Sequence, residues 1–201
     1  MKIERHIWEN AQKHELEYHI HSPRSETWYS EFFHNYFRIL GCNTAEFEQK
    51  SVIEVGPAFY PGLSYYKARK KVCVEPTYNE FGSQIKERYE TANIQLILKP
   101  LEEVDLCDFD EKFDELWMLN FLQHVIDPEL CISQAKKFAK VIRFFEPINT
   151  PTDVCHPHAF DLKYFQNAFS HDSVSYYAGR KDPQFVHGFH EAECAYGSFY
   201  T

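Results

Sequence analysis

Apolar positions fall into two regimes along the chain, helical spacing before residue 51 and short apolar runs after it. Residues 3–20 set Ile3, Ile7, Trp8, Ala11, Leu16 and Tyr18 among many charges, which predicts one or two amphipathic helices. A break follows at His21-Ser22-Pro23. Residues 25–40 (SETWYSEFFHNYFRIL) are aromatic-rich at helical spacing, and Gly41 stands where a helix would end. About fifty residues of helix therefore precede any strand.

From Val52 the runs SVIEV (51–55), KVCVE (71–75), IQLIL (94–98), FDELWML (113–119) and KVIRFFE (140–146) read as strands. Helices are expected between them near 62–70, 79–91 and 128–139. Strands buried on both faces and alternating with helices predict an α/β, doubly wound, mostly parallel sheet, whose ligand lies at the carboxyl ends of the strands. After Pro147 come a loop with Pro151 and Pro157, a helix over 161–169, and strand-like runs at 173–179 and 193–201. The expected organisation is one domain: 1–50 a helical N-terminal extension or lid, 51–147 the ligand-binding core, and 148–201 completing the sheet.

Composition narrows this picture. A chain of 201 residues that is 44% hydrophobic can bury a full core. No stretch approaches the roughly 18 apolar residues of a membrane span, and the start MKIERHIWEN lacks the apolar centre of a signal peptide. A soluble, cytoplasmic protein is expected. Cys42, Cys73, Cys107, Cys131, Cys155 and Cys194 form no C-x-x-C pair and are expected as free thiols, with Cys73, Cys107 and Cys131 among apolar neighbours. A net charge of -9 argues against a nucleic-acid partner. The one basic cluster, Lys67, Arg69, Lys70 and Lys71, ends the helix expected at 62–70, where cations complement the helix dipole.

The strongest chemical signal is V-I-E-V-G-P-A-F-Y-P-G (52–62), a strand ending in a glycine turn. Glu75 ends the next strand, where an acid can accept both hydroxyl hydrogens of an adenosine ribose. Together these point to a nucleoside. A turn that binds the pyrophosphate of a dinucleotide presents backbone N–H groups between small glycines, whereas this one carries Pro57, Phe59 and Tyr60. S-adenosylmethionine has no phosphate and carries a sulfonium cation that tolerates an acid such as Glu54. A nicotinamide oxidoreductase rests on the same strand and turn but has Pro57 and Phe59 against it.

These residues resemble class I S-adenosylmethionine-dependent methyltransferases of the methyltransferase-11-like type. Glu54, Gly56, Gly62 and Glu75 match the family's first strand, turn and second-strand acid, and L-N-F-L-Q-H-V-I-D-P (119–128) is close to its fourth-strand segment. The resemblance covers roughly 50–170 and implies a Rossmann-like, seven-stranded sheet with an antiparallel ending. It implies that Glu54 and Gly56 lie by the methionine portion of S-adenosylmethionine, that Glu75 holds the ribose, and that Pro57, Ala58, Gly62 and Pro76 also belong to the cofactor site. It further implies that Leu101 and Glu102 flank the adenine, and that Asn120 and Phe121 border the substrate mouth. Ala58 and Tyr60 stand where the family usually places further glycines, which leaves open a non-catalytic or regulatory binding module. Each residue also has a structural reading: Gly56 and Gly62 as a tight turn, Glu54 as partner of a buried arginine, Asn120 as a helix cap.

Methyl transfer is a direct displacement, so no protein nucleophile is needed and the task is alignment and exclusion of water. For a hydroxyl acceptor a base assists, and His124, His156 and His158 are the candidates near the pocket rim, though each reads more readily as structural. Cys155, His156 and His158 could also ligate a metal, but Pro157 between them and the missing fourth ligand argue against it, and no metal is expected. Trp8, His14, Tyr18, His19, His21, Trp28 and Tyr29 suit either a lid or plain packing on the sheet. The acidic surface favours a small-molecule acceptor.

Overall fold

The structure is a computed structural model and describes residues 1–22, 24–109, 111–187 and 189–201. The break expected at Pro23 lies outside the described residues; the helices on either side of it are α1 (Arg5–His21) and α2 (Glu26–Ile39). The strands are β1 (Ser51–Val55), β2 (Lys70–Val74), β3 (Gln95–Ile97), β4 (Phe113–Leu119), β5 (Ala139–Pro147), β6 (Val174–Tyr177) and β7 (Cys194–Tyr200). They form one sheet in the order β3-β2-β1-β4-β5-β7-β6. β1 to β5 run parallel, and β7 lies antiparallel between β5 and β6. The remaining helices are α3 (Ser83–Thr91), α4 (Pro128–Phe138) and α5 (Leu162–Phe169).

All five residues of β1 are buried, as a central parallel strand covered on both faces requires. On one face Val52, Cys73 and Trp117 pack against Phe37 of α2, Phe47 and Tyr89 of α3. On the other, Ile53, Leu116 and Phe144 pack against α4 and α5 through Ile132, Ala135, Phe165 and Phe169. The fold is therefore the doubly wound, mostly parallel seven-stranded α/β architecture expected. Its helices begin where the sequence supplies caps: Ser25 accepts from Trp28 N, Asp127 from Leu130 N ahead of Pro128, and Asp161 from Tyr164 N. Among the described residues no helix is long and apolar enough to cross a membrane.

One expected element is absent. Residues 62–70 form no helix but a single 3-10 turn, Gly62–Ser64, after which the chain runs straight into β2. Pro57 and Pro61 disfavour helical backbone at the residues before them. The buried Glu54 carboxylate takes up the first free N–H groups, those of Gly62 and Leu63, both at 2.9 Å. The sheet face left bare by the missing helix is covered by α2 and the 3-10 turn Thr44–Gln49, with Phe37 and Phe47 tilted on Trp117 at 4.5 and 4.9 Å. The basic cluster consequently ends no helix. Lys70 and Lys71 open β2, and Arg69 pairs with Glu111 and Asp114 at the amino end of the sheet. Residues 79–91 also begin later than expected, because a separate turn at Tyr78–Glu80 precedes α3.

Candidate functional site

At the carboxyl ends of β1, β2 and β4 the sheet opens into a cavity of about 550 Å³, within the usual range for small-molecule sites. Its floor is the bend after β1. Gly56 has φ +60°, and a Cβ there would lie 2.5 Å from the Phe121 ring, so only glycine fits. Ala58 also adopts a left-handed φ, +51°, without being glycine. It is held there by two bonds: its N–H donates to Glu75 Oε2 at 2.9 Å, and the buried Tyr89 hydroxyl donates to its carbonyl. The other Glu75 oxygen accepts from Thr77 N at 2.9 Å and from the Thr77 hydroxyl at 2.5 Å. Glu75 thus touches the bend one strand away.

Three carboxyls are buried at this edge: Glu54, Glu75 and Glu146 at the end of β5. Burial pushes Glu54 up to about 7 against the pull of the Leu63 and Gly62 N–H bonds. It pushes Glu146 up to about 8 against the N–H groups of Phe121 and Leu122. Burial also raises Glu75. No lysine or arginine figures among the groups acting on any of the three.

Of the residues expected to bind the cofactor, all but Gly62 line the cavity. Gly62 lies behind it, where a Cβ would come within 2.7 Å of the Phe33 ring and 3.0 Å of Glu54 Oε1. Its role in the structure is close packing of α2. Glu102 Oε1 accepts the N–H groups of Ile126 and Asp127 at 2.8 and 3.0 Å, bracing the approach to α4. Asn120 caps no helix; it stands at φ +57° and donates its backbone N–H to Phe145 O. Glu54 pairs with no arginine and binds the turn after the bend instead. His124 and His156 line the cavity, and His158 does not. His158 is buried and donates Nε2–H to Val125 O at 2.8 Å, so a Cys155, His156 and His158 ligand set does not assemble.

The N-terminal helices form the roof. Ile3 N donates to Ile126 O, and Trp8 Nε1 and Gln12 Nε2 both donate to His124 O at 2.9 Å. α1 is thereby fastened across the carboxyl edge, and Trp8, Tyr18 and His19 line the cavity together with Trp28 and Tyr29 of α2. His14 and His21 do not. On this side the structure brings together residues that no single sequence motif joins. Glu15, His124 and His156 place their ligand atoms within 4.8 Å of one another. Asp153 holds His156, and the Tyr36 hydroxyl and His190 Nε2 share a hydrogen bond of 2.6 Å. Burial lowers His124 to about 4 and His190 to about 3, so both imidazoles are neutral at pH 7. The signal for Glu15 was present: Trp8, Gln12, Glu15 and His19 follow one another at helical spacing on one face of α1. Glu146 was signalled less clearly, as a lone acid inside the apolar run of β5.

No protein-family model matches the sequence, and no curated protein matches it at a significant level. Solved structures do match. A possible histamine N-methyltransferase from Thermotoga maritima is similar over 98% of this chain and 99% of its own, with 14% identity and TM-score 0.61. The N-methyltransferase NodS from Bradyrhizobium japonicum, solved with S-adenosyl-L-homocysteine, covers 96% of this chain and 98% of its own at 11% identity and TM-score 0.63. A Burkholderia thailandensis 1,6-didemethyltoxoflavin-N1-methyltransferase, solved with that compound and S-adenosylhomocysteine, covers 99% and 91% at 13% identity and TM-score 0.59. At these identities the likeness establishes the fold.

Proposed function

We propose, for a chain with the fold of class I S-adenosylmethionine-dependent methyltransferases, that it binds S-adenosylmethionine in the carboxyl-edge cavity and methylates a small molecule. The observation that carries this reading is the set of buried carboxyls without a lysine or arginine partner, Glu54 and Glu75, flanking a glycine bend at the floor of a cavity of about 550 Å³. Such a floor favours a ligand that brings its own positive charge. Of the solved structures named above, two hold S-adenosylhomocysteine and one of these also holds the small molecule 1,6-didemethyltoxoflavin, which supports the same choice.

When bound, S-adenosylmethionine supplies a methyl group activated by the sulfonium charge. Glu75 accepts the ribose hydroxyls: a carboxylate has about four acceptor positions, three are in use, and the Thr77 hydroxyl can rotate away to release one more. Pro76 and Leu101 pack along the nucleoside, and Glu102 holds the wall beside it. Gly56, Pro57 and Ala58 present the bend to the methionine end. Asn120 and Phe121 separate that end from the acceptor, and α1 and α2 exclude water from the line of transfer. His124 or His156 takes the acceptor proton. The net charge of -9 supports a small-molecule acceptor over nucleic acid, and six cysteines without a disulfide support a cytoplasmic setting.

Mass spectrometry of the purified protein for a co-purified adenosyl ligand, followed by transfer of labelled methyl to a broad panel of hydroxyl and amine acceptors, tests the reading. A labelled product is the expected result. Cofactor bound with no product from any acceptor would fit a non-catalytic binding module, and no ligand with no product would reject the reading.

A further inference from the structure

Three segments far apart in sequence converge on the acceptor side of the cavity: α1 with Glu15, the turn Leu122–His124 after β4, and the loop after β5 with His156. All three side chains are part-buried and line the cavity, so they are held in place yet open to a ligand. We propose that Glu15, His124 and His156 bind one divalent transition-metal ion of the zinc type, with open coordination positions facing the cavity.

The donor set is two imidazoles and one carboxylate, which suits zinc and its first-row neighbours and leaves positions free for an exogenous oxygen. The supporting contacts are those of a ligated site. Nδ1 of His156 stands 2.9 Å from both carboxylate oxygens of Asp153, so its N–H donates there and Nε2 keeps the lone pair a metal takes. Asp153 Oδ1 also accepts the backbone N–H groups of Cys155 and His156 at 2.8 Å, fixing the loop that carries the ring. Glu15 Oε1 lies 3.1 Å from His19 Nε2, which orients the carboxylate.

The backbone at His124 is equally fixed, since its carbonyl receives Trp8 and Gln12 of the same helix that carries Glu15. Nδ1 of His124 is buried and has no hydrogen-bond partner among the described residues. Buried polar atoms are rarely left unpaired, and a bound ion would satisfy this nitrogen's lone pair as a hydrogen-bond donor otherwise would. The two rings stand 4.7 Å apart at 61°, an arrangement in which neither donates to the other. Ligand atoms around zinc sit roughly 3.3 Å apart. The atoms of the cluster, within 4.8 Å of one another, stand about 1.5 Å or less beyond that spacing.

Resting on the methyltransferase reading, the site selects the acceptor class: a hydroxyl whose oxygen coordinates the ion and is acidified and aligned by it, its proton passing to solvent water because the lone pairs of His124 and His156 are then on the ion. The sequence reading expects no metal and weighs only Cys155, His156 and His158; here Glu15 and His124 stand with His156 instead.

The test uses the full chain, stripped with a chelator and titrated with Zn²⁺ by calorimetry, with Co²⁺ as a spectroscopic probe. One ion per chain is expected, with a distinct visible Co²⁺ spectrum. Glu15→Gln, His124→Gln and His156→Gln should each weaken binding by more than about tenfold, and Asp153→Asn by about 10–100-fold. Cys155→Ser should leave it unchanged. S-adenosylhomocysteine titration and thermal unfolding of each variant report folding and the cofactor reading separately. A Glu15→Gln protein that binds S-adenosylhomocysteine normally but has lost Zn²⁺ supports the site. No saturable Zn²⁺ binding, binding that survives all three ligand substitutions, or binding lost in Cys155→Ser would overturn it. Zn²⁺ binding without any S-adenosylhomocysteine binding would reject the cofactor reading while leaving the metal site standing.

Discussion

Glu115 and Glu54 are both buried, on neighbouring strands of one sheet, yet they live in opposite electrostatic surroundings. Glu115, near the start of β4, meets Lys50 Nζ at 2.6 Å, Arg143 at 3.0 Å and Trp117 Nε1 at 3.1 Å. Burial alone would raise it, but the bonds from Arg143 and Lys50 hold it below the usual carboxylate range. Asp114 beside it is likewise held low, chiefly by Lys140 and Ser51 against desolvation. At the other end of the same strands Glu54, Glu75 and Glu146 receive backbone N–H groups, the Thr77 hydroxyl and no ammonium or guanidinium. One edge of the sheet is electrically complete. The other has its hydrogen bonds but, among the described residues, no lysine or arginine acting on it, only the pull of His19 on Glu75, and it is the edge that carries the cavity.

The largest effect that would sharpen this contrast is Glu115→Ala, which strands Arg143 and Lys50 beside a buried void. It should cost about 3–5 kcal/mol by urea unfolding and leave S-adenosylhomocysteine affinity unchanged in the folded protein. Next comes pH. Unfolded carboxyls titrate near ~4.3, whereas folded Glu54 and Glu146 titrate near 7 and 8. Between those values the folded state binds more protons, so the stability they contribute is complete in acid and falls as pH rises. The slope is about 1.4 kcal/mol per pH unit for each group, ending near pH 7 and 8 respectively. Glu146→Gln, whose carbonyl can still accept from Phe121 and Leu122, should flatten this fall. Equal pH slopes in the two proteins would break the contrast. Glu115, held low, changes stability only at the acid end, where it is lost as pH falls.

Smaller again is Glu75→Ala, which should weaken S-adenosylhomocysteine at least tenfold, about 1.4 kcal/mol, by calorimetry. The smallest is Ala58→Gly, which relieves a left-handed alanine and should raise stability by up to about 1 kcal/mol. A loss of stability on that change would show that the alanine methyl contributes packing that outweighs its backbone strain.

The parts legible in the sequence were those with a local cause. β1 and β4 lie where their apolar runs place them, and the caps Ser25, Asp127 and Asp161 sit at the starts of α2, α4 and α5. The expected helix at 62–70 failed because nothing local reveals that Glu54 takes up the N–H groups of Gly62 and Leu63 or that Phe37 and Phe47 cover the vacated face. The bend of the candidate site could be read because glycine and an acid stand at a fixed spacing. The partners of Glu15 and Tyr36 could not, since they meet His124, His156 and His190 only through tertiary folding, at separations of 109 to 154 residues.

A carboxyl edge that awaits a cation is the central claim, and calorimetric titration of the purified protein with S-adenosylmethionine in two buffers of different ionisation enthalpy tests it most directly. One molecule per chain is expected, with release of protons at neutral pH as the incoming positive charge draws Glu54, which lines the cavity, toward its ionised form. No binding heat at millimolar ligand, or binding with proton uptake, would contradict it.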